Sequence, residues 1–279
     1  MTHLPKASRR TALTALLGAG TAALLPPLTA RAAQRVRVGI RGGIRGGIGE
    51  EIWAEVARAA RTRGLDVQLV VLGGSVSPNE ALNNGDLEAN AFQHLPFLQD
   101  QVRQRGYQIV SVANTLIAPI AFYSLRHKRL EDLPAKARVG VPNDPSNQTR
   151  ALVILRDHGL IQLRDGFDPF TGTAGLADVT ANPRQLKLVE AASNVLARSV
   201  PDLDAAAVIN TFAYQMGLIA TRDGIAVEKR EHNPYVNIIA VRSKDQDAPW
   251  VKALVASFQT DTVRRFIETQ YQGTLIPAF

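Results

Sequence analysis

From Val36 to the end of the chain the apolar residues switch repeatedly between a period of two and a period of about 3.6, the marks of strand and helix. The switching runs in two separate series. In the first, Val36–Ile40 reads as a strand and Glu50–Arg63 as a helix with Ile52, Val56, Ala59 and Ala60 on one face. Val67–Leu72 follows as a strand, and Ser77, Pro78 and Glu80 spell a capping box at the start of a second helix. Gln108–Asn114 is a further strand, and Leu116–Tyr123 continues extended through Pro119. The second series begins afresh with the strand Val139–Pro142, the helix Pro145–His158, the strand Leu186–Val189, a helical stretch over Ala192–Arg198 and the strand Ala206–Ile209. The chain returns through Tyr235–Val241 and ends in helical patterns over Pro249–Gln259 and Asp261–Tyr271. Strand and helix in alternation close as a parallel sheet with covering helices, so each series predicts one α/β lobe. The extended passages 114–123 and 233–240 are the expected paired crossovers. The predicted organisation is therefore one lobe from residues 33–118 with 238–279 and another from 119–237, hinged around a cleft.

A chain of 279 residues, 46% hydrophobic and 20% charged, is long enough for two such cores. Its charge is less telling than it looks. Of the formal +7, residues 1–32 supply +4 through Lys6, Arg9, Arg10 and Arg31 with no acid, leaving +3 for the remainder. That surplus, without a basic block interleaved with aromatics, gives no case for nucleic-acid binding. The first 32 residues instead read as an export signal of twin-arginine type. Ser8-Arg9-Arg10-Thr11 precedes an apolar run from Ala12 to Leu25, Pro26-Pro27 break it, and Ala30-Arg31-Ala32 offers small residues at a cleavage site. The run is shorter than the ~20 residues a bilayer requires. A periplasmic, monomeric protein is expected. The absence of cysteine removes disulfides, thiolate metal sites, thiol nucleophiles and attachment of lipid through cysteine, so no lipid anchor is expected either.

Two stretches carry the chemistry. Gly85–Phe97 reads as a strand running into a loop, with Phe92 and His94 two residues apart and hence on one strand face. Pro96 then opens a helix, which puts both side chains at a strand's carboxyl end, where α/β folds bind ligands. On pattern alone, a core phenylalanine beside a hydrogen-bonded histidine is the commoner reading. The second stretch is Val141–Arg150. Asp144 precedes Pro145 as an N-cap, the first turn of the helix favours an anion, and Asn147 and Arg150 project from one side of that turn. A planar guanidinium suits a carboxylate in two-point contact, although a solvated surface arginine would look the same in sequence.

Other features exclude more than they assign. Residues 41–48, Arg-Gly-Gly-Ile twice over, lack both the P-loop ending and the Rossmann spacing, so they read as a flexible ligand-side loop. His94, His127, His158 and His232 show no metal spacing, and no cofactor is implied. Asp86 and Glu88 share a strand face with His94 but not hydrogen-bond reach, and Ser146 has neither a nucleophile elbow nor an adjacent histidine. An enzyme is not expected.

The runs Pro78–His94, Gly140–Arg150, Val208–Thr211 and Asn233–Asn237, in that order, resemble the methionine-binding lipoprotein family, also called the NlpA family, of substrate-binding proteins of ABC importers. The resemblance covers the chain from about Val36 onward. It implies the type 2 periplasmic-binding-protein fold, two α/β lobes joined by two crossover strands and closing on an amino acid, with an ABC permease as partner. It implies that Phe92 and His94 surround the ligand side chain, that Asn147 and Arg150 take its carboxylate, and that Asn210 and Asn237 hold its polar end. Asn114, beside the first crossover, is a weaker candidate. The chain departs from the family's pattern at Ser75, where methionine binders commonly carry a tyrosine, at Ala118, where many carry a glutamate, and in lacking the usual lipid-bearing cysteine. Methionine or a related amino acid is the expected ligand; another hydrophobic amino acid, a dipeptide or an organosulfur acid remains the alternative.

Overall fold

The computed structural model describes residues 32–41, 48–73, 76–229, 233–271 and 273–279. The expected export segment as far as residue 31, most of the glycine repeat, and Ser75 lie outside the described residues. The rest forms two large sheets, each packed on both faces, and a small two-stranded one.

The first lobe starts with β1 (Gln34–Arg41), α1 (Ile48–Arg61), β2 (Leu65–Leu72), α2 (Pro78–Asn84), β3 (Ala89–Asn90), α3 (Leu95–Arg105) and β4 (Ile109–Ile117). β1 pairs in parallel with both β2 and β3, as right-handed strand–helix–strand units require. After β5 (Ile120–Tyr123) the second lobe builds β6 (Arg138–Pro142), α4 (Pro145–Asp157), a small hairpin of β7 (Gln162–Leu163) with β8 (Val179–Ala181), β9 (Lys187–Ala191), α5 (Ser193–Ser199), β10 (Ala205–Ile209), α6 (Asn210–Gln215), α7 (Ala220–Asp223) and β11 (Gly224–Val227). β6 pairs in parallel with β9 and with β10. The chain then returns to the first sheet as β12 (Val236–Arg242), followed by α8 (Pro249–Phe258), α9 (Asp261–Tyr271) and β13 (Ile276–Pro277).

The strand orders are β2-β1-β3-β12-β4-β13 in one sheet and β9-β6-β10-β5-β11 in the other. Both place the first strand of their series between the second and third, and both add antiparallel strands beyond the third. The chain leaves the first sheet at Ala118-Pro119, between β4 and β5, and comes back between Val227 and Val236.

Period-two alternation sends neighbouring side chains into different cores. In β5, Ile120 and Phe122 join Val139, Val141, Leu152 and Leu155 under α4, while Ala121 and Tyr123 join Leu196 and Val208 under α5. In the first sheet, Val36, Val38 and Ile40 meet Ile52, Trp53 and Val56 of α1 and Phe258 of α8, and Leu82, Leu98 and Ile238 fill the opposite side. The first strand of each series, β1 and β6, carries one glycine where a leucine from the covering layer comes close. A Cβ on Gly140 would lie 2.7 Å from Leu196 and 2.8 Å from Leu203, and one on Gly39 would collide with Leu87. Such tight layers hold the strand ends, from which the polar residues project, in fixed positions.

One expectation is corrected here. The strand read through Gly85–Phe97 is only the two residues Ala89–Asn90, because Asn90 and Gln93 turn inward to a buried amide cluster with Asn79 instead of continuing the alternation. Asn90 Nδ2 donates to Asn79 Oδ1 at 2.9 Å, and Gln93 Nε2 donates to the same oxygen at 2.6 Å.

Candidate functional site

Parallel strands deliver their carboxyl ends to one edge of a sheet. In the second lobe, β6 runs into Asp144 and α4, and its parallel neighbour β10 runs into Asn210 at the start of α6. In the first lobe, β3 leads to His94 and α3.

Arg150 sits at the centre. It lies on α4 with only 2% of its surface exposed, so its charge must be matched locally. Its Nε donates to Glu228 Oε1 at 2.8 Å, and Nη2 donates to Glu228 Oε2 at 2.6 Å and to the Ala118 carbonyl at 2.9 Å. Nη1 donates to Asn147 Oδ1 at 3.1 Å. The guanidinium also lies 4.8 Å from the centre of the Tyr235 ring. Burial presses its pKa down, and the Glu228 carboxylate more than offsets this, leaving it above its ordinary value. The four bonds use four of the five guanidinium N–H groups, so one N–H on Nη1 has no partner among the described residues.

His94 faces this cluster from the first lobe. It caps α3 by accepting from the Phe97 amide at Nδ1, 3.1 Å away. The proton therefore resides on Nε2, which lies 3.1 Å from Asn147 Oδ1. Asn147 in turn has its amide oriented by donation from Nδ2 to Asp144 Oδ1 at 2.9 Å. Asn147 thus bridges an imidazole of one lobe and a guanidinium of the other. Burial first, and the Arg150 charge second, push the His94 pKa from its ordinary 6.5 down to about 3. The ring packs edge-on against Tyr235 at 5.1 Å and Phe97 at 6.2 Å.

The other expected residues divide. Phe92 is half-buried, 6.2 Å from Phe97, with the Arg41 guanidinium over its ring. Asn237 lies next to His94 through a backbone bridge. Asn210 is fully buried; its Nδ2 donates to the Thr274 carbonyl at 2.9 Å, and its Oδ1 has no partner among the described residues. Asn114 is not brought to the cluster: its side chain is exposed and its carbonyl accepts from Gln259. The anion expected at the start of α4 is also displaced, because Asp144 itself accepts from the Asn147 amide at 3.0 Å and puts a carboxylate there. Arg150, not the helix terminus, is the positive feature. Glu228 and Tyr235 are not among the residues expected from sequence: Tyr235 lies inside the Asn233–Asn237 run without being singled out, and Glu228 has no local motif and meets Arg150 across 78 residues. Among the described residues no acid, histidine or cysteine cluster could hold a metal.

A histidine held neutral in the fold but free to protonate when unfolded contributes stability that is complete above pH 6.5 and lost progressively as the pH falls towards about 3. The His94→Gln variant should therefore show a flatter decline of unfolding free energy over that window than the wild type, by on the order of a few kcal/mol at the acid end. Urea unfolding at neutral and acid pH reads the difference; parallel declines would contradict it.

The family model of NlpA lipoprotein matches residues 40–279. The D-methionine-binding lipoprotein MetQ of Yersinia pestis is 43% identical over 266 residues, 94% of each chain. A nutrient binding protein from Burkholderia cenocepacia, solved bound to methionine, superposes with a TM-score of 0.82 at 42% identity, over 88% of this chain and 100% of that one. An ABC transporter periplasmic substrate-binding protein from Coxiella burnetii gives a TM-score of 0.80 at 36% identity, over 87% and 100% of the two chains. The architecture is thus that of the periplasmic substrate-binding proteins, with two α/β lobes. These findings overturn the expectation of a protein without a lipid anchor, since the family and the Yersinia relative are lipoproteins by name. That expectation rested on the missing cysteine, which speaks only to attachment through that residue within these 279 positions. On the match over most of its length and the identity to its relatives, the chain belongs to the NlpA lipoprotein family.

Proposed function

We propose that the protein is the extracytoplasmic substrate-binding component of an ABC importer, and that it captures methionine or a closely similar amino acid between its lobes. Two observations carry this: in the buried network of Arg150 one guanidinium N–H has no partner among the described residues, and the buried Asn210 has an Oδ1 without one. Buried polar groups are normally paired, so a site that leaves one donor and one acceptor open is suited to a ligand bringing one of each. An α-amino acid does so. Its carboxylate accepts from Arg150 and its ammonium donates to Asn210, while Phe92 and His94 wall the side chain and Asn237 borders it. Asn114, being exposed, is left out of this set. The names of the Yersinia and Burkholderia proteins support methionine as the first ligand to test.

Capture works by closure. The lobes touch through His94–Asn147 and Asn210–Thr274, with the crossover residue Tyr235 against both His94 and Arg150. A ligand that contacts both sides adds its free energy only to the closed state and so selects it. The lobes are assigned as residues 33–118 with 238–279, and 119–237, with a membrane permease reading the closed form. No step in this cycle requires bond chemistry.

Calorimetric titration of the refolded, ligand-stripped protein with L- and D-methionine tests the reading. Arg150→Lys, which keeps the charge and loses the planar fork, should weaken binding by about 2–5 kcal/mol. Unchanged affinity in a folded variant would overturn the assignment. Export by the twin-arginine route is the finer reading supported by Ser8-Arg9-Arg10-Thr11 ahead of the apolar run. Replacing Arg9 and Arg10 together by lysine should abolish export through that route, read by fractionation; normal export of the double variant would rule the route out.

A further inference from the structure

Arg150 is already matched before any ligand arrives. Glu228 holds it through two oxygens, its own side chain only 10% exposed, and the carboxylate of Asp144 adds a second negative charge close enough to act on the guanidinium. His94, which reaches Asn147 from the other lobe, is neutral. Among the described residues hydrogen-bonded around Arg150 there is therefore no surplus positive charge, although the anchoring residue is an arginine; the Arg41 guanidinium lies over the Phe92 ring. Charges inside a low-dielectric cleft are selected by their sum as well as by their hydrogen bonds. An acid that enters as a net anion would add an unmatched negative charge beside Glu228 and Asp144. A carboxylate that brings its own ammonium adds none.

We propose that Glu228 is the residue that sets the charge class of the ligand: by neutralising Arg150 in advance, it admits zwitterionic amino acids and rejects net-anionic carboxylates of the same shape. This rests on the reading of the cleft as an amino-acid site and gives it a specificity determinant. Glu228 sits at the start of the return crossover, directly after β11, where its backbone N–H also donates to the Ile120 carbonyl at 3.0 Å. Its position is thus fixed by the sheet and does not depend on a ligand.

The probes are methionine and its des-amino analogue, which keeps the carboxylate and the thioether chain and loses the ammonium. The wild type should prefer methionine by roughly a hundredfold or more, since a buried site built for a polar group rejects an analogue lacking it. E228Q removes the negative charge at nearly constant shape. Its preference should shrink by roughly tenfold or more, with the des-amino analogue binding more tightly than it does to the wild type. E228D keeps the charge with a shorter reach and should retain the preference. A folded E228Q that weakens both ligands equally would reduce Glu228 to a brace for Arg150 and overturn the proposal. Should E228Q fail to fold, the wild type decides with the uncharged amide of the des-amino analogue as a third probe: the amide binding more tightly than the carboxylate upholds the proposal, and the carboxylate binding more tightly overturns it. A wild type that binds no amino acid at all would instead defeat the functional reading on which the proposal rests.

Discussion

The interaction on which the cleft depends is the buried ion pair between Arg150 and Glu228. A guanidinium removed from water is tolerated only where carboxylate and carbonyl oxygens surround it, and here those oxygens come from both crossovers: Ala118 at the outgoing one, Glu228 at the returning one. The pair therefore ties α4 to the two places where the chain passes between sheets. Tyr235, farther along the return, lies over the same guanidinium. Removing either partner would leave the other charged and buried, which costs more than the pair itself contributes.

Around this node the polar groups are arranged in order of commitment. The Asn79–Asn90–Gln93 cluster is satisfied by its own amides and the Pro78 carbonyl, and it fixes the turn that presents Phe92 and His94. His94 is committed at both ring nitrogens, one to cap α3 and one to Asn147. Asn210 is committed at its nitrogen only. Rigid outer contacts and open inner ones are what a preorganised binding site requires, because the ligand then loses little free energy in ordering its surroundings.

Much of this was legible in sequence where the physics is local. The strand–helix alternation, the Pro145 helix start with its Asp144 cap, and the helix opened at Pro96 follow from short-range rules, and the structure has them. Arg150 and Asn147 were legible as neighbours on one helical turn, and so was the turn's exposure to the strand edge. What failed was set at long range or by competition between partners. Glu228 has no motif and finds Arg150 only through the second sheet. Asp144 is both a cap and a charge, so its carboxylate occupies the anion position that the helix terminus alone would offer. The strand that runs into the loop before Pro96 is shorter than its alternation predicts, because alternation of apolar and polar residues does not register amides that turn inward. Asn114 was judged by proximity to a crossover, which does not determine on which side of β4 a side chain stands.

A crystal structure of the protein with methionine bound measures the decisive distance, from the ligand carboxylate to Nη1 of Arg150. The expected result is a charge-assisted hydrogen bond of about 2.7–2.9 Å with Glu228 still engaged on Nε and Nη2. A ligand carboxylate that displaces Glu228 from Arg150, or that lies elsewhere in the cleft, would contradict a site neutralised in advance.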